Sequence, residues 1–322
     1  MNTRKNSFRM MSLLAGLLCI WLTTGAQAAD RVVVVPLGGG KPLQNVVTVA
    51  KAGGKFTDPV AAMNSITDAS ATNPYLLLIA PGQYTLTSAL VMKEFVDVSG
   101  SGEQITWLIG AISSSNVDET SAIVKGAKHA TLSNLSVSNT GGGTHSFGIF
   151  TTGLDITARL QQISVYAKGG SANVGINNWE TSSPFITGVN IAVQGTGTQV
   201  SYGIYNFNNA LPTIIGANAL VWGGGSTNGI YNATSPLVVI DGANVYAYGG
   251  TTNRGVVNSS SNDVKIRRST ISGTTDGLVN SSGSINTRVS QSTIINGVSG
   301  GGYTCVASDD NLGNELNNLT CL

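Results

Sequence analysis

From about residue 130 the chain runs in short stretches of four or five residues in which aliphatic or β-branched side chains alternate with small polar ones. Turn residues separate the stretches, and beyond residue 68 no run keeps helical spacing, so the body is predicted to be β. The stretches repeat. A glycine followed by an aliphatic residue recurs at Gly148-Ile149, Gly175-Ile176, Gly203-Ile204, Gly229-Ile230, Gly255-Val256 and Gly277-Leu278, at intervals of 27, 28, 26, 26 and 22 residues. Three residues after five of these glycines stand Asn178, Asn206, Asn232, Asn258 and Asn280. A second polar row runs Asn134, Gln162, Asn190, Asn218, Asn244, Thr270 and Thr293, each followed by an apolar or small residue. Repeats of this length that give one short strand to each of several parallel sheets form a solenoid, with equivalent residues stacked about 4.8 Å apart. The aliphatic residues then form a continuous interior. The asparagines are expected at tight turns, where they tolerate a left-handed backbone, with their amides bonded from coil to coil as a structural ladder.

The segment before the repeats differs. Asn45 to Lys51 reads as a strand, and Thr57-Asp58-Pro59 offers an N-cap with proline at the first helical position. Val60, Ala61, Met63, Asn64 and Ile66 continue a short helix, which is expected to cover the open N-terminal end of the solenoid. Arg4, Lys5 and Arg9, an apolar run from Met10 to Leu22, and Ala26-Gln27-Ala28 read as a signal peptide comprising residues 1–28. A lead-in over 29–44, coils over 45–300 and a cap over 301–322 complete the expected organisation.

Cleavage after Ala28 leaves fourteen basic against sixteen acidic residues, a net charge of −2. That balance carries no basic footprint for nucleic acid, and no later segment is long and apolar enough for membrane insertion. Export to the periplasm or the exterior follows. The cut also removes Cys19 and leaves Cys305 and Cys321, for which a disulfide is the natural state in an oxidising compartment.

Val47 to Phe56, the helix, Leu77-Leu78-Ile79-Ala80-Pro81-Gly82-Gln83-Tyr84 and Val96-Asp97-Val98-Ser99-Gly100-Ser101-Gly102 together resemble the opening of pectin methylesterases, within the pectin-lyase-like superfamily. The resemblance covers residues 45–103 in motif and about 45–300 in architecture. It implies an all-β, single-stranded right-handed parallel β-helix, here with a short N-terminal capping helix and a disulfide-tied C-terminal cap. Activity does not come with the fold. Val117-Asp118-Glu119 is a misplaced fragment of one methylesterase motif, and nothing matches the others. His129 and His145 lie outside any polygalacturonase setting, and Lys265-Ile266-Arg267-Arg268 and Asp309-Asp310 are partial echoes. No converging set of calcium-binding carboxylates beside an arginine, as pectate lyases need, is evident. No metal and no cofactor is called for.

Two groups of residues remain as candidates. Counted from the repeat glycine, Asp241 and Arg267 occupy equivalent positions on successive coils and are expected to face each other, with Asp263 off that column. They make either a charged site for an acidic sugar or, more plainly, a surface ion pair. If the stacked aliphatics point inward, alternation sends Phe150, Tyr205 and Tyr231 outward, with Trp179 and Phe207 at the next outward position. A second outward column is expected to run Tyr166, Gln194, Trp222 and Tyr248. Flat rings on a rigid rod suit the faces of sugars, although rings on sheet surfaces also serve cross-strand packing. The leading expectation is a noncatalytic β-helix that binds polysaccharide or a cell-surface glycan, or serves as a structural or adhesive module. The alternative is an enzyme on uronate polymers with a non-standard site, for which Glu180, Asp241 and Asp263 are the dispersed acids at hand.

Overall fold

The computed structural model describes residues 45–261, 263–281, 286–310, 312–318 and 321. The proposed signal peptide and lead-in lie outside them. The described chain is a parallel β-solenoid. A nine-stranded sheet takes one strand from each coil, from Leu90–Val91 through His145–Thr152, Ala172–Trp179, Val200–Phe207, Ser226–Ala233 and Thr252–Ser259 to Val298–Ser299. An eighteen-stranded sheet takes the rest of each coil: short strands such as Phe185–Thr187, Thr213–Ile215 and Val239–Asp241 turn directly into Asn190–Gln194, Asn218–Trp222 and Asn244–Tyr248. Every pairing between these strands is parallel and in register.

Stacked aliphatics fill the interior. Ile149, Ile176, Ile204, Ile230, Val256 and Leu278 form one fully buried row, and Ile186, Ile214, Ile240 and Ile266 another. The repeat glycines belong to this interior. A Cβ on Gly229 would lie 2.0 Å from Val245 Cγ1 and 2.6 Å from the carbonyl oxygen of Gly255, and one on Gly148 would lie 2.3 Å from Val165 Cγ1. Glycine and the aliphatic residue after it therefore both face inward. This breaks the alternation, so the residue before the glycine and the second residue after it both face out.

The asparagine row is a buried ladder. Thr151 Oγ1 donates to Asn178 Oδ1, and Asn178, Asn206 and Asn232 each donate through Nδ2 to the Oδ1 of the next asparagine, all at 2.7 Å; Asn258 continues to Asn280 at 3.0 Å. Contrary to the sequence reading, these asparagines are not the turn residues. They sit inside the strands, and the left-handed residues come two positions later, at Glu180, Asn208, Thr234 and Ser260. The amide is selected because a buried position needs a donor and an acceptor along the same axis.

The second polar row also needs correction. Asn134 and Gln162 are themselves left-handed, with φ of 55° and 48°, and share a turn column with Gly188, Gly216, Gly242, Arg268 and Gln291. Asn190, Asn218 and Asn244 stack instead on Ser164 and Ser136. This is an exposed ladder, bonded at 2.9 and 3.0 Å, and Glu103 accepts from Asn190 Nδ2 at 2.8 Å at its N-terminal end.

The short helix Pro59–Ser65 is capped as its sequence implies: Asp58 accepts from the backbone N–H of Val60 and Ala61. Its buried face, Ala62 and Met63, closes on the N-terminal coils. At the other end Cys305 and Cys321 form a disulfide with Cα atoms 5.4 Å apart. The buried ladder terminates there, with Asn280 Nδ2 donating to the carbonyl of Gly301. Among the described residues no helix is long and apolar enough to cross a membrane.

Candidate functional site

The inward turn of the repeat glycines concentrates aromatic residues on the outer face of the nine-stranded sheet. Phe147, Val174 and Tyr202 stack in register before the glycine; Phe150, Asn177, Tyr205 and Tyr231 stack two residues after it; Trp179 and Phe207 follow. Rings from the two sides of the glycine meet. Tyr202 stacks on Tyr205 with centroids 4.8 Å apart, Trp179 stacks on Phe207 at 4.3 Å, and Tyr231 lies 5.4 Å from Tyr202 and 5.6 Å from Tyr205. Pairs of this kind contribute about 0.5–1.5 kcal/mol each beyond their burial, so the cluster is a rigid surface rather than a set of loose rings.

Four of the expected platform rings, Tyr205, Tyr231, Trp179 and Phe207, are half-buried here and touch one another together with a fifth that sequence reasoning missed, Tyr202. Phe150 is a correction. It does face away from the interior, but at 2% exposure it is the floor of a second apolar cluster with Phe147, Ala122 and Val174, and offers no free face. Simple alternation from the inward aliphatic residue hides Phe147 and Tyr202, because it assigns them to the interior. The signal that reveals them is the glycine itself, flanked by aromatics one residue before and two after.

A cavity of about 230 Å³ opens among these residues, lined by His145, Phe147, Asn177, Trp179, Tyr202 and Tyr205 with Val117, Ala172 and Val174. Asn177 is 1% exposed, and its Oδ1 has no hydrogen-bond partner. An unmatched buried carbonyl of this kind costs about 1–3 kcal/mol, and later coils avoid the cost by placing Val257 and Val279 at the same register position. Burial pushes the Tyr202 hydroxyl up to about 12, and pushes Tyr205 up further with help from its tyrosine neighbours. Both are neutral at ordinary pH. Burial also holds the His145 imidazole below its usual range, which favours its neutral form.

The second expected column is split by the structure. Tyr166 pairs with Ala192, and through it with Leu220 and Tyr246, whereas Gln194, Trp222 and Tyr248 form the neighbouring column with Lys168. The misplacement comes from equating Gln162 with Asn190. Tyr166 still reaches across to donate to Gln194 Oε1 at 3.0 Å, and lies 6.5 Å from Trp222. Beside the exposed ladder Tyr166 borders a groove of about 480 Å³ that includes Trp107, Leu220 and Tyr246, none of them singled out by sequence. Tyr246 and Tyr248 are 40% and 42% exposed.

The charged candidates divide between two sets of ion pairs. Asp241 and Arg267 are register partners, as expected, but the ion pair is made by Arg268, whose Nε and Nη2 donate to the two oxygens of Asp241 at 2.8 and 2.6 Å. Arg268 reaches back because it occupies the left-handed turn that glycine holds on earlier coils. Its guanidinium keeps the Asp241 carboxyl below the usual carboxylate range. Asp263 lies apart, 3.7 Å from Lys265 and 3.9 Å from Arg288. Glu180 is exposed on the turn after Trp179.

No family model matches the sequence, and no curated protein matches it. Solved structures do. A pectate lyase is 13% identical, with a TM-score of 0.55 over 84% of this chain and 79% of that one. A pectin methylesterase from carrot is 15% identical, with a TM-score of 0.50 over 85% of each chain. A pectin methylesterase from Erwinia chrysanthemi is 11% identical, with a TM-score of 0.49 over 88% of this chain and 94% of that one. At such identities the likeness is one of fold: all are right-handed parallel β-helices, as this chain is.

Proposed function

We propose that this protein is exported and binds a polysaccharide along the outer face of its nine-stranded sheet, holding it without turning it over. The observation that carries the reading is the contiguous cluster of Trp179, Tyr202, Tyr205, Phe207 and Tyr231, half-open to solvent and spread over three coils. Coils repeat at about 4.8 Å, close enough for rings on successive coils to present one continuous apolar strip to the C–H faces of a sugar chain. An amide, two neutral phenols and a neutral imidazole beside the strip supply hydrogen bonds.

The likeness to a pectate lyase and to pectin methylesterases favours a glycan over other ligands of a ringed surface. The chemistry of the cluster favours binding over turnover. Glycoside hydrolysis uses two carboxyl groups held at a set separation, whereas the residues around the cavity are rings, an amide and an imidazole. Asp241, the most buried of the acids weighed from sequence, is neutralised by Arg268. The disulfide suits an oxidising compartment outside the cytoplasm.

The test is to incubate the secreted protein with immobilised pectins, alginates and neutral glycans. Bound protein and polymer are measured together with unsaturated chain ends, reducing ends and released methanol. Retention without product is the expected result. Product formation would replace the binding role by an enzymatic one.

A further inference from the structure

We infer that the cavity beside Trp179 takes an uncharged sugar residue, either a plain hexose or an esterified uronate, rather than a free uronate; this rests on the glycan-binding reading above. A carboxylate buried against rings needs a cation or several strong donors. None of the residues lining the cavity carries a fixed charge, and His145, the single titratable base among them, is held toward its neutral form by burial. The basic residues of the same sheet, Lys125 and Arg254, are not among the residues that line the cavity, and Lys125 is bonded to Glu119 at 3.1 Å. Glu180, exposed on the turn that follows Trp179, is the nearest charge in sequence and is negative.

What the cavity offers instead is ring faces and one unmatched amide. Asn177 stands between Phe150 and Tyr205 on the adjoining coils, with an acceptor oxygen that the protein leaves without a donor. A sugar hydroxyl supplies that donor while the ring packs on Tyr205 and Trp179. At about 230 Å³ the cavity is smaller than the about 300–1,000 Å³ of sites for drug-sized ligands, so it accommodates one residue of a chain, with its neighbours lying along the strip.

The experiment compares three probes on the full secreted protein: polygalacturonate, the same polymer methyl-esterified, and an uncharged glucan or galactan. Each is titrated at low and at high salt. The expected result is binding of one or both uncharged polymers, insensitive to salt, with the acid form weaker by about tenfold or more. Binding of the esterified polymer alone identifies an esterified uronate as the source; binding of the neutral glycan as well identifies a plain hexose. Asn177→Val, which installs the residue that later coils carry, is expected to keep or raise the melting temperature while lowering affinity for the uncharged probe about tenfold. Tighter binding of the acid form with steep salt dependence would overturn the inference and leave the glycan-binding reading standing. So would an Asn177→Val variant with unchanged affinity. Failure to retain any glycan would remove the underlying reading itself.

Discussion

The two asparagine ladders offer a controlled comparison, because they use the same amide-to-amide bond in different surroundings. Asn206 is fully buried, accepts from Asn178 at 2.7 Å and donates to Asn232 at 2.7 Å. Asn206→Ala leaves one donor and one acceptor unmatched in the dry interior. Each costs about 1–3 kcal/mol, and some sharing with neighbouring amides brings the expected loss to about 2–4 kcal/mol. Asn218, on the outer face, makes bonds of 2.9 and 3.0 Å in water. Solvent replaces its partners, and Asn218→Ala is expected to stay within about 0.5 kcal/mol of the parent. Urea unfolding followed by far-ultraviolet circular dichroism measures both, provided the slope with denaturant is unchanged, since a solenoid can unfold in segments. Equal effects of the two substitutions, or a loss of under about 0.5 kcal/mol for Asn206→Ala, would refute the reasoning that burial gives the ladder its value.

Three further outcomes are expected. Gly229→Ala drives a methyl group into Val245 and the carbonyl of Gly255, and is expected to cost about 1–3 kcal/mol or more by overpacking, read as a fall in melting temperature. Cys321→Ser opens a loop spanning 16 positions and is expected to lower stability by roughly 3 kcal/mol, with early proteolysis confined to the cap. The pair of Asp241 with Arg268 lowers the carboxyl pKa in the folded state. Its contribution is therefore present above the unfolded value of about 4 and disappears as pH falls through the folded value. Since Arg268 is 65% exposed, Asp241→Asn is expected to cost only about 1 kcal/mol at neutral pH and nothing in strong acid, read from melting curves across pH.

The solenoid was legible because each coil repeats the same inward aliphatic positions, so weak local signals added up over six glycines. The ladder was legible as a row but not as a location, since turn propensity argues for asparagine at left-handed positions while the buried axis needs its amide inside the strand. Most of the ring cluster was visible. Tyr205, Tyr231, Trp179 and Phe207 follow from alternation, whereas Tyr202 and Phe147 depend on the two consecutive inward residues that glycine permits. Asn177 was invisible, because nothing local distinguishes an unmatched amide from a ladder member one residue away. The ion pair was misassigned by one residue for a related reason: Arg268 stands where earlier coils have a left-handed glycine, and only the backbone turn tells which of two adjacent arginines reaches Asp241.

The central claim, that the ring cluster on the nine-stranded sheet holds a polysaccharide, is tested most directly by the affinity of two tryptophan variants for whichever glycan the parent retains. Trp179→Ala removes a ring from the cluster, and Trp222→Ala removes one from the other outer face. The account expects Trp179→Ala to weaken binding about tenfold, near 1.4 kcal/mol, with Trp222→Ala unchanged. Unaltered affinity in Trp179→Ala together with a loss in Trp222→Ala would place the ligand on the outer face of the eighteen-stranded sheet and contradict it.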